Sequence, residues 1–196
     1  MKRSLFRWVG VVALLCCLVA CKKKEVKEYP GVKTGFEEVH GNDIPADWLT
    51  FKGNGYTIRY PAAFKLDTTG YMKTDVIFYT KLSYNEDEFS DNINVMIQDL
   101  KDPQMNLDQF AKLSEDEIKM YVEEPEIIES KRVNSNGIEY HNIIYSEKNP
   151  NYYLIRDQHL MIRNQKAYVL TLTCEKPLFD QYKETGELVL SSFRFQ

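Results

Sequence analysis

The chain has 196 residues, 43% of them hydrophobic and 28% charged, with 25 Lys+Arg against 29 Asp+Glu and a net charge of −4 at pH 7. That balance excludes a nucleic-acid module, because phosphate binding needs a concentrated basic face and the only basic run, Lys22-Lys23-Lys24, is short. The length suits one domain: about 150 residues bury roughly 68–70% of the unfolded surface, enough to fold without staples.

At the amino terminus Lys2, Arg3 and Arg7 precede an apolar stretch from Trp8 to Leu18, the layout of a secretory signal too short to span a bilayer. Leu18-Val19-Ala20-Cys21 resembles a bacterial lipobox. The resemblance implies that residues 1–20 are removed, that Cys21 carries a diacylglycerol thioether and that the new amino terminus is acylated. One acyl chain binds a membrane marginally, at ~0.8 kcal/mol per buried CH₂, and two or more anchor stably. The expected partner of this end is therefore a membrane, and Lys22 to Lys24 either pair with anionic headgroups or simply begin a solvated tether. Loss of Lys2, Arg3 and Arg7 removes three positive charges and takes the net charge from −4 to −7. Lys22 follows the cysteine where an inner-membrane retention signal has Asp, and no acidic surface-export run is present. The expected address is thus the bacterial envelope, at the outer membrane facing the periplasm. Of Cys16, Cys17, Cys21 and Cys174, two leave with the leader and one takes lipid, so no internal disulfide forms.

Residues 21–45 carry charges, Pro30, Gly31 and Gly35 without apolar periodicity and read as a flexible linker with an r.m.s. reach of about 25 Å. The domain is expected over 46–196. Aromatic and β-branched runs at 48–52 and 56–60 flank Gly53-Asn54-Gly55 and predict a hairpin, since Asn-Gly accepts the positive φ of a tight turn. Strands are expected at 75–80 and 92–98, the second alternating Ile93, Val95 and Ile97 with polar residues. Asn106 as cap and Gln109 reaching back predict a helix start, and Leu107, Phe110, Ala111, Ser114, Ile118, Tyr121 and Val122 recur at three and four along one stripe. A second Asn-Gly, Asn136-Gly137, predicts a hairpin of 127–133 with 138–145, and Asn164-Gln165 turns a third, 152–163 with 166–174. In the last strand Tyr168, Leu170, Leu172 and Cys174 share one face. Pro177 opens a terminal helix whose stripe is Phe179, Tyr182, Gly186, Val189 and Phe193. Strands, helix, strands, helix is the order of an α+β domain, an antiparallel sheet flanked by helices.

Gly55-Tyr56-Thr57-Ile58-Arg59-Tyr60-Pro61-Ala62-Ala63-Phe64, then Gln158, Ala167-Tyr168-Val169-Leu170-Thr171-Leu172-Thr173, Phe179, Tyr182 and Leu190-Ser191-Ser192-Phe193-Arg194-Phe195 together resemble the PsbP and Mog1-like superfamily, including PsbP-like lipoproteins of Bacteroidetes. The resemblance implies a PsbP/Mog1-like sandwich and a binding or scaffolding role, as in photosystem II subunits and a Ran-binding protein. Phe64 and Asn164-Gln165 depart from its pattern, and no functional residue carries over.

Candidate chemistry is sparse. Cys174 shares an apolar strand face and reads as a buried, inert thiol facing the covering helices rather than a nucleophile. His141 and His159, with Asp157 on the face of His159, offer a possible metal site, but no ligand spacing supports it, and the three histidines, His40 included, read as surface residues. The acidic segment 85–92 lacks the alternation and glycine of a calcium loop and reads as a solvated connection. Tyr152 and Tyr153 point to opposite faces, so one is expected exposed as a partner contact, or both cover the core edge. Asp67-Thr68-Thr69 resembles a short O-glycosylation acceptor sequence of Bacteroidetes. The expected function is a non-catalytic envelope lipoprotein, monomeric in its domain, without metal or cofactor, engaging an unknown envelope protein. The alternatives are a lipid-tethered hydrolase and a small-ligand binder.

Overall fold

A computed structural model describes the backbone of Glu37–Glu38 and residues 44–80 and 89–196. The leader, Cys21, Lys22 to Lys24, His40 and residues 85–88 of the acidic segment lie outside the described residues. In chain order the elements are β1 (Glu37–Glu38), β2 (Leu49–Gly53), β3 (Tyr56–Tyr60), β4 (Lys65–Asp67), β5 (Val76–Tyr79), β6 (Asn92–Asp99), α1 (Leu107–Tyr121), β7 (Glu126–Ser135), β8 (Ile138–Lys148), β9 (Tyr153–Arg163), β10 (Lys166–Glu175), α2 (Phe179–Ser191) and β11 (Arg194–Phe195). Among the described residues they build a large sheet, β1-β7-β8-β9-β10-β6-β5-β4, and a small one, β11-β3-β2. This is the expected α+β class, with the sheet doubled. All pairings are antiparallel except β1 with β7, where two residues of the expected linker segment lie beside Val133 and Asn134.

Local chemistry accounts for the hairpins and the helix start. Asn136 and Gly137 both take positive φ, 53° and 76°, as a two-residue turn with the twist of its strands requires. Asn164 and Gln165 make the same turn at 52° and 60° without a glycine. At α1 the Asn106 carboxamide oxygen accepts from Gln109 N at 3.0 Å and the Gln109 side chain accepts from Asn106 N at 2.9 Å, a complete capping box.

Packing follows from strand alternation. Tyr168, Leu170, Leu172 and Cys174 of β10 are buried in one core with Tyr56, Ile58, Phe78, Val189 and Leu190 from the small sheet, β5 and α2. Ala167 instead joins Ile143, Tyr145 and Leu160 beneath Phe110, Ala111 and Ile118 of α1, with Val169 packed against them. The large sheet is therefore a middle layer. An aromatic seam ties the small sheet to it: Tyr56 stacks on Phe193 at 5.1 Å, Tyr60 lies 4.9 Å from Phe78, and Tyr168 meets Phe195 edge-on at 5.0 Å.

Phe193 departs from the expected helical stripe. The helix ends at Ser191, and Phe193 reaches the same core from the turn into β11. Pro177 lies in a short 3₁₀ turn, Lys176–Leu178, that leads into α2. Strands β1, β4 and β11 were not expected, each being two or three residues long.

Helix α2 approaches β10 at Gly186, where a Cβ would come within 2.5 Å of Leu172 Cδ2. Leu172 is 1% exposed and has nowhere to retreat. Gly186→Ala should therefore destabilise the domain by about 1–3 kcal/mol through overpacking, outweighing the ~1 kcal/mol gain in helix propensity. Urea denaturation measures it; a raised midpoint would show that the helix stands off the sheet.

Candidate functional site

Two polar clusters lie on opposite faces of β7, β8 and β9. Register separates the histidines: His159 pairs with Asn142, whereas His141 pairs with Leu160, so the imidazoles emerge on opposite sides of the sheet. No metal site can join them. Among the described residues no group of three His, Cys, Asp or Glu side chains is arranged to hold an ion.

The cluster toward α2 consists of Asn142, Asp157 and His159. The Asn142 amide donates to Asp157 Oδ1 and, at 3.2 Å, to the Gln158 carbonyl. His159 stacks on Tyr140 at 4.1 Å and 22°, with Nε2 3.8 Å from Asp157 Oδ1. The expectation of a surface histidine fails here: His159 is 7% and Asp157 2% exposed. The cause is tertiary, since Tyr140 flanks the ring and the end of α2 overhangs it. Burial pushes Asp157 up to about 6 despite the opposing Asn142 hydrogen bond. Burial, then the Lys131 charge, pushes His159 down to about 3, so its imidazole is neutral at pH 7. The cavity beside it, between Tyr140, Met161, Leu190 and Phe193, measures about 10 Å³ and has room for about one water.

The second cluster lies under α1. Ser130 Oγ donates to Glu115 Oε1 at 2.6 Å and lies 2.8 Å from His141 Nε2. A hydroxyl has one proton, and here it goes to the carboxylate, so Nε2 must be the donor to Ser130. An imidazole in that tautomer cannot take the serine proton. In a nucleophilic triad the acid contacts the second imidazole nitrogen; here it contacts the serine, and His141 Nδ1 is buried without a partner among the described residues. Burial and the Arg132 charge lower the His141 pKa. Sequence reasoning missed this trio. The Asn136-Gly137 turn pins Ser130 opposite Ile143 and Arg132 opposite His141, so the Ser130–His141 diagonal was deducible; the arrival of Glu115 from α1 was not.

Cys174 is wholly buried, as expected, and burial followed by the charges of Asp91 and Asp157 pushes its thiol far up. Tyr152 and Tyr153 are both half-buried. The Tyr152 ring lies 5.3 Å from that of Phe89, while the Tyr153 hydroxyl bonds Lys176 Nζ, itself 4.1 Å from the ring centre. Thr68 is exposed, in a turn where Asp67 Oδ1 accepts from Thr69 N at 2.7 Å.

The family model for PsbP matches residues 45–195. The chain belongs to the PsbP family. Its PsbP domain is similar in fold to cyanobacterial PsbP (CyanoP) from Synechocystis sp. PCC 6803, at 16% identity and TM-score 0.56 over 80% of this chain and 96% of that one. It is similar also to LpqN of Mycobacterium tuberculosis, a protein involved in cell envelope biogenesis, at 8% identity and TM-score 0.54 over 82% and 90%. A third likeness is to PA94 of Pseudomonas aeruginosa, a putative regulator of unknown function, at 10% identity and TM-score 0.52 over 75% and 96%. These identities establish the fold alone. No curated protein matches the sequence.

The buried pair gives the PsbP domain two opposed pH dependences. Asp157 binds its proton more tightly folded (about 6) than unfolded (3.8), so it costs stability above pH 6 and the cost fades as pH falls toward 3.8. His159 binds its proton more weakly folded (about 3) than unfolded (6.5), so stability is lost as pH falls below 6.5. Asp157→Asn should raise stability at about pH 7.5 by up to ~3 kcal/mol and add nothing near pH 4. His159→Phe, which keeps the stack on Tyr140, should flatten the acid-side loss. Urea midpoints across pH read both; an unchanged midpoint for Asp157→Asn near pH 7.5 would mean that its carboxylate carries no desolvation cost.

Proposed function

We propose that this chain is a lipid-anchored envelope lipoprotein of a Bacteroidetes-type bacterium, acylated on Cys21 after removal of residues 1–20. Residues 21–45 tether a monomeric PsbP domain of residues 46–196, which serves, without cofactor, as a binding or scaffolding module for an envelope protein. The observation that carries the reading is the sequence Leu18-Val19-Ala20-Cys21 at the end of a complete leader, upstream of a PsbP domain. Lys22 behind the cysteine supports the outer membrane, periplasmic side, as its place. The fold likeness to LpqN, a protein of cell envelope biogenesis, is compatible with such a setting.

The hydrolase alternative starts from Ser130 and His141, and the donation of the serine proton to Glu115 argues against it. Capture of a small ligand beside His159 meets a cavity of about 10 Å³. Tyr152 and Tyr153, half-buried at the start of β9, remain the proposed protein contact.

Cys21→Ser should abolish fatty-acid labelling and release the chain from membranes in a high-salt wash that screens Lys22 to Lys24. Labelling retained on the variant would overturn the anchor. The same membranes, solubilised, supply the partner test: crosslinkers placed at Tyr152 or Tyr153 should join the chain to one envelope protein, and exclusively self-directed or absent crosslinks would count against the tyrosine contact.

A further inference from the structure

The connection between β4 and β5 holds a backbone oddity. Gly70 (φ 81°) is followed after Tyr71 by Met72 (φ 52°) and Lys73 (φ 64°), two successive side-chain-bearing residues in the left-handed region. Such conformations are unfavourable for L residues and persist where the surroundings over-determine them. Here Lys73 N donates to Gly70 O at 3.0 Å, and Thr74 donates to Tyr71 O through both N (3.1 Å) and Oγ1 (2.6 Å). Asp75 then pins the turn to both sheets, its N donating to Val95 O at 2.8 Å and its Oδ2 accepting from Tyr56 OH at 2.6 Å. The turn is thus held by hydrogen bonds within itself and to both sheets.

What it holds outward is apolar. Tyr71 is 56% and Met72 71% exposed. Leu66 on β4 and Leu49 on β2, both edge strands of their sheets, are exposed as well. Contacts join the two leucines along one side of the sandwich: Leu49 opposes Tyr60, Tyr60 lies against Phe78, and Phe78 opposes Leu66. Lys65, at the start of β4, and Lys73, in the turn, are exposed and have no ion pair among the described residues, on a chain whose net charge is −4.

An exposed turn carrying an aromatic and a methionine, with exposed lysines in the turn and on the strand that leads to it, complements an anionic bilayer. Tyrosine favours the headgroup level, an apolar side chain the acyl boundary just beneath it, and lysines the phosphates. We propose that the turn of residues 70–73 is a membrane contact, in which Tyr71 and Met72 enter the interfacial layer of an anionic phospholipid leaflet while Lys65 and Lys73 rest on its headgroups. The contact goes beyond the acyl anchor on Cys21 and would hold the domain with its β2/β4 side against the bilayer.

The test uses the full chain isolated from membranes and reconstituted into phosphatidylcholine vesicles with or without phosphatidylglycerol. Tyr71→Trp places a reporter at the tip, and bromine-labelled lipids quench tryptophan at the interface; the parent chain supplies the background of Trp48. With phosphatidylglycerol, the emission added by Tyr71→Trp should fall about twofold, and Lys65→Glu with Lys73→Glu in the same background should abolish the fall. Met72→Trp repeats the measurement at the neighbouring position, so that one misfolded variant does not decide it. Sedimentation with vesicles, read separately, reports the anchor. A chain that sediments while neither reporter is quenched overturns the tip contact and leaves the anchor standing. Quenching on a chain whose Cys21 proves unacylated upholds the tip and overturns the anchor.

Discussion

The large sheet is apolar on both faces, and the rest of the domain is arranged to cover it. Leu170 and Leu172 point one way, Ala167 and Val169 the other, from the same strand. Alternation alone forces two lids. One is α1, laid across β8 and β9; the other is composite, made of α2 over β10 and the small sheet against β5. The glycine at 186 and the aromatic seam through Phe193 both serve the second lid. The first sets α1 close to the sheet without a close-approach glycine.

Seen from that requirement, the polar clusters are seams of the lids. Under α1, Glu115 reaches Ser130 and Asp108 reaches Arg132, so two carboxylates from one helix fix its position on β7. The hydroxyl that could have been a nucleophile is occupied in doing this. Under α2 the composite lid traps Asp157 and His159, and each resists ionisation in its own direction. Burying a polar group costs least where it is hydrogen-bonded; Asn142 donates to Asp157, and the ring of Tyr140 stacks on that of His159.

Much of the fold was legible because it rests on local chemistry. The Asn106–Gln109 capping box, the Asn-Gly turns and the alternation of β6 and β10 each have a sequence signature with a mechanism, and each element appears within a few residues of its expected place. Illegible parts are those whose reason lies elsewhere in the chain. Strand β4 has too few residues to alternate, and β11 exists because β3 offers it an edge. Phe193 looked helical by spacing, yet its place is set by Tyr56 and Tyr168, which wait for an aromatic at the mouth of the small sheet. The candidate site fared worse for the same reason: strand parity placed His159 beside Asp157, but only the helix above decides whether that face is wet or dry. The exposed turn of residues 70–73 left no mark in composition, because its singularity is a backbone angle.

The pairing of β11 with β3 also bears on how the molecule comes into being. Arg194 lies opposite Thr57 and Phe195 opposite Tyr56, so the small sheet is closed by segments from opposite ends of the domain, and Gln196 N still donates to Gly55 O at 2.9 Å. Such non-local closure raises contact order and slows folding. While a growing chain emerges from the ribosome, the β2–β3 hairpin has one flank open and the core lacks Phe193. Closure of the small sheet therefore comes after every other strand of the domain has been made, and until then Tyr56 and Tyr168 lack the ring of Phe193 that packs against both.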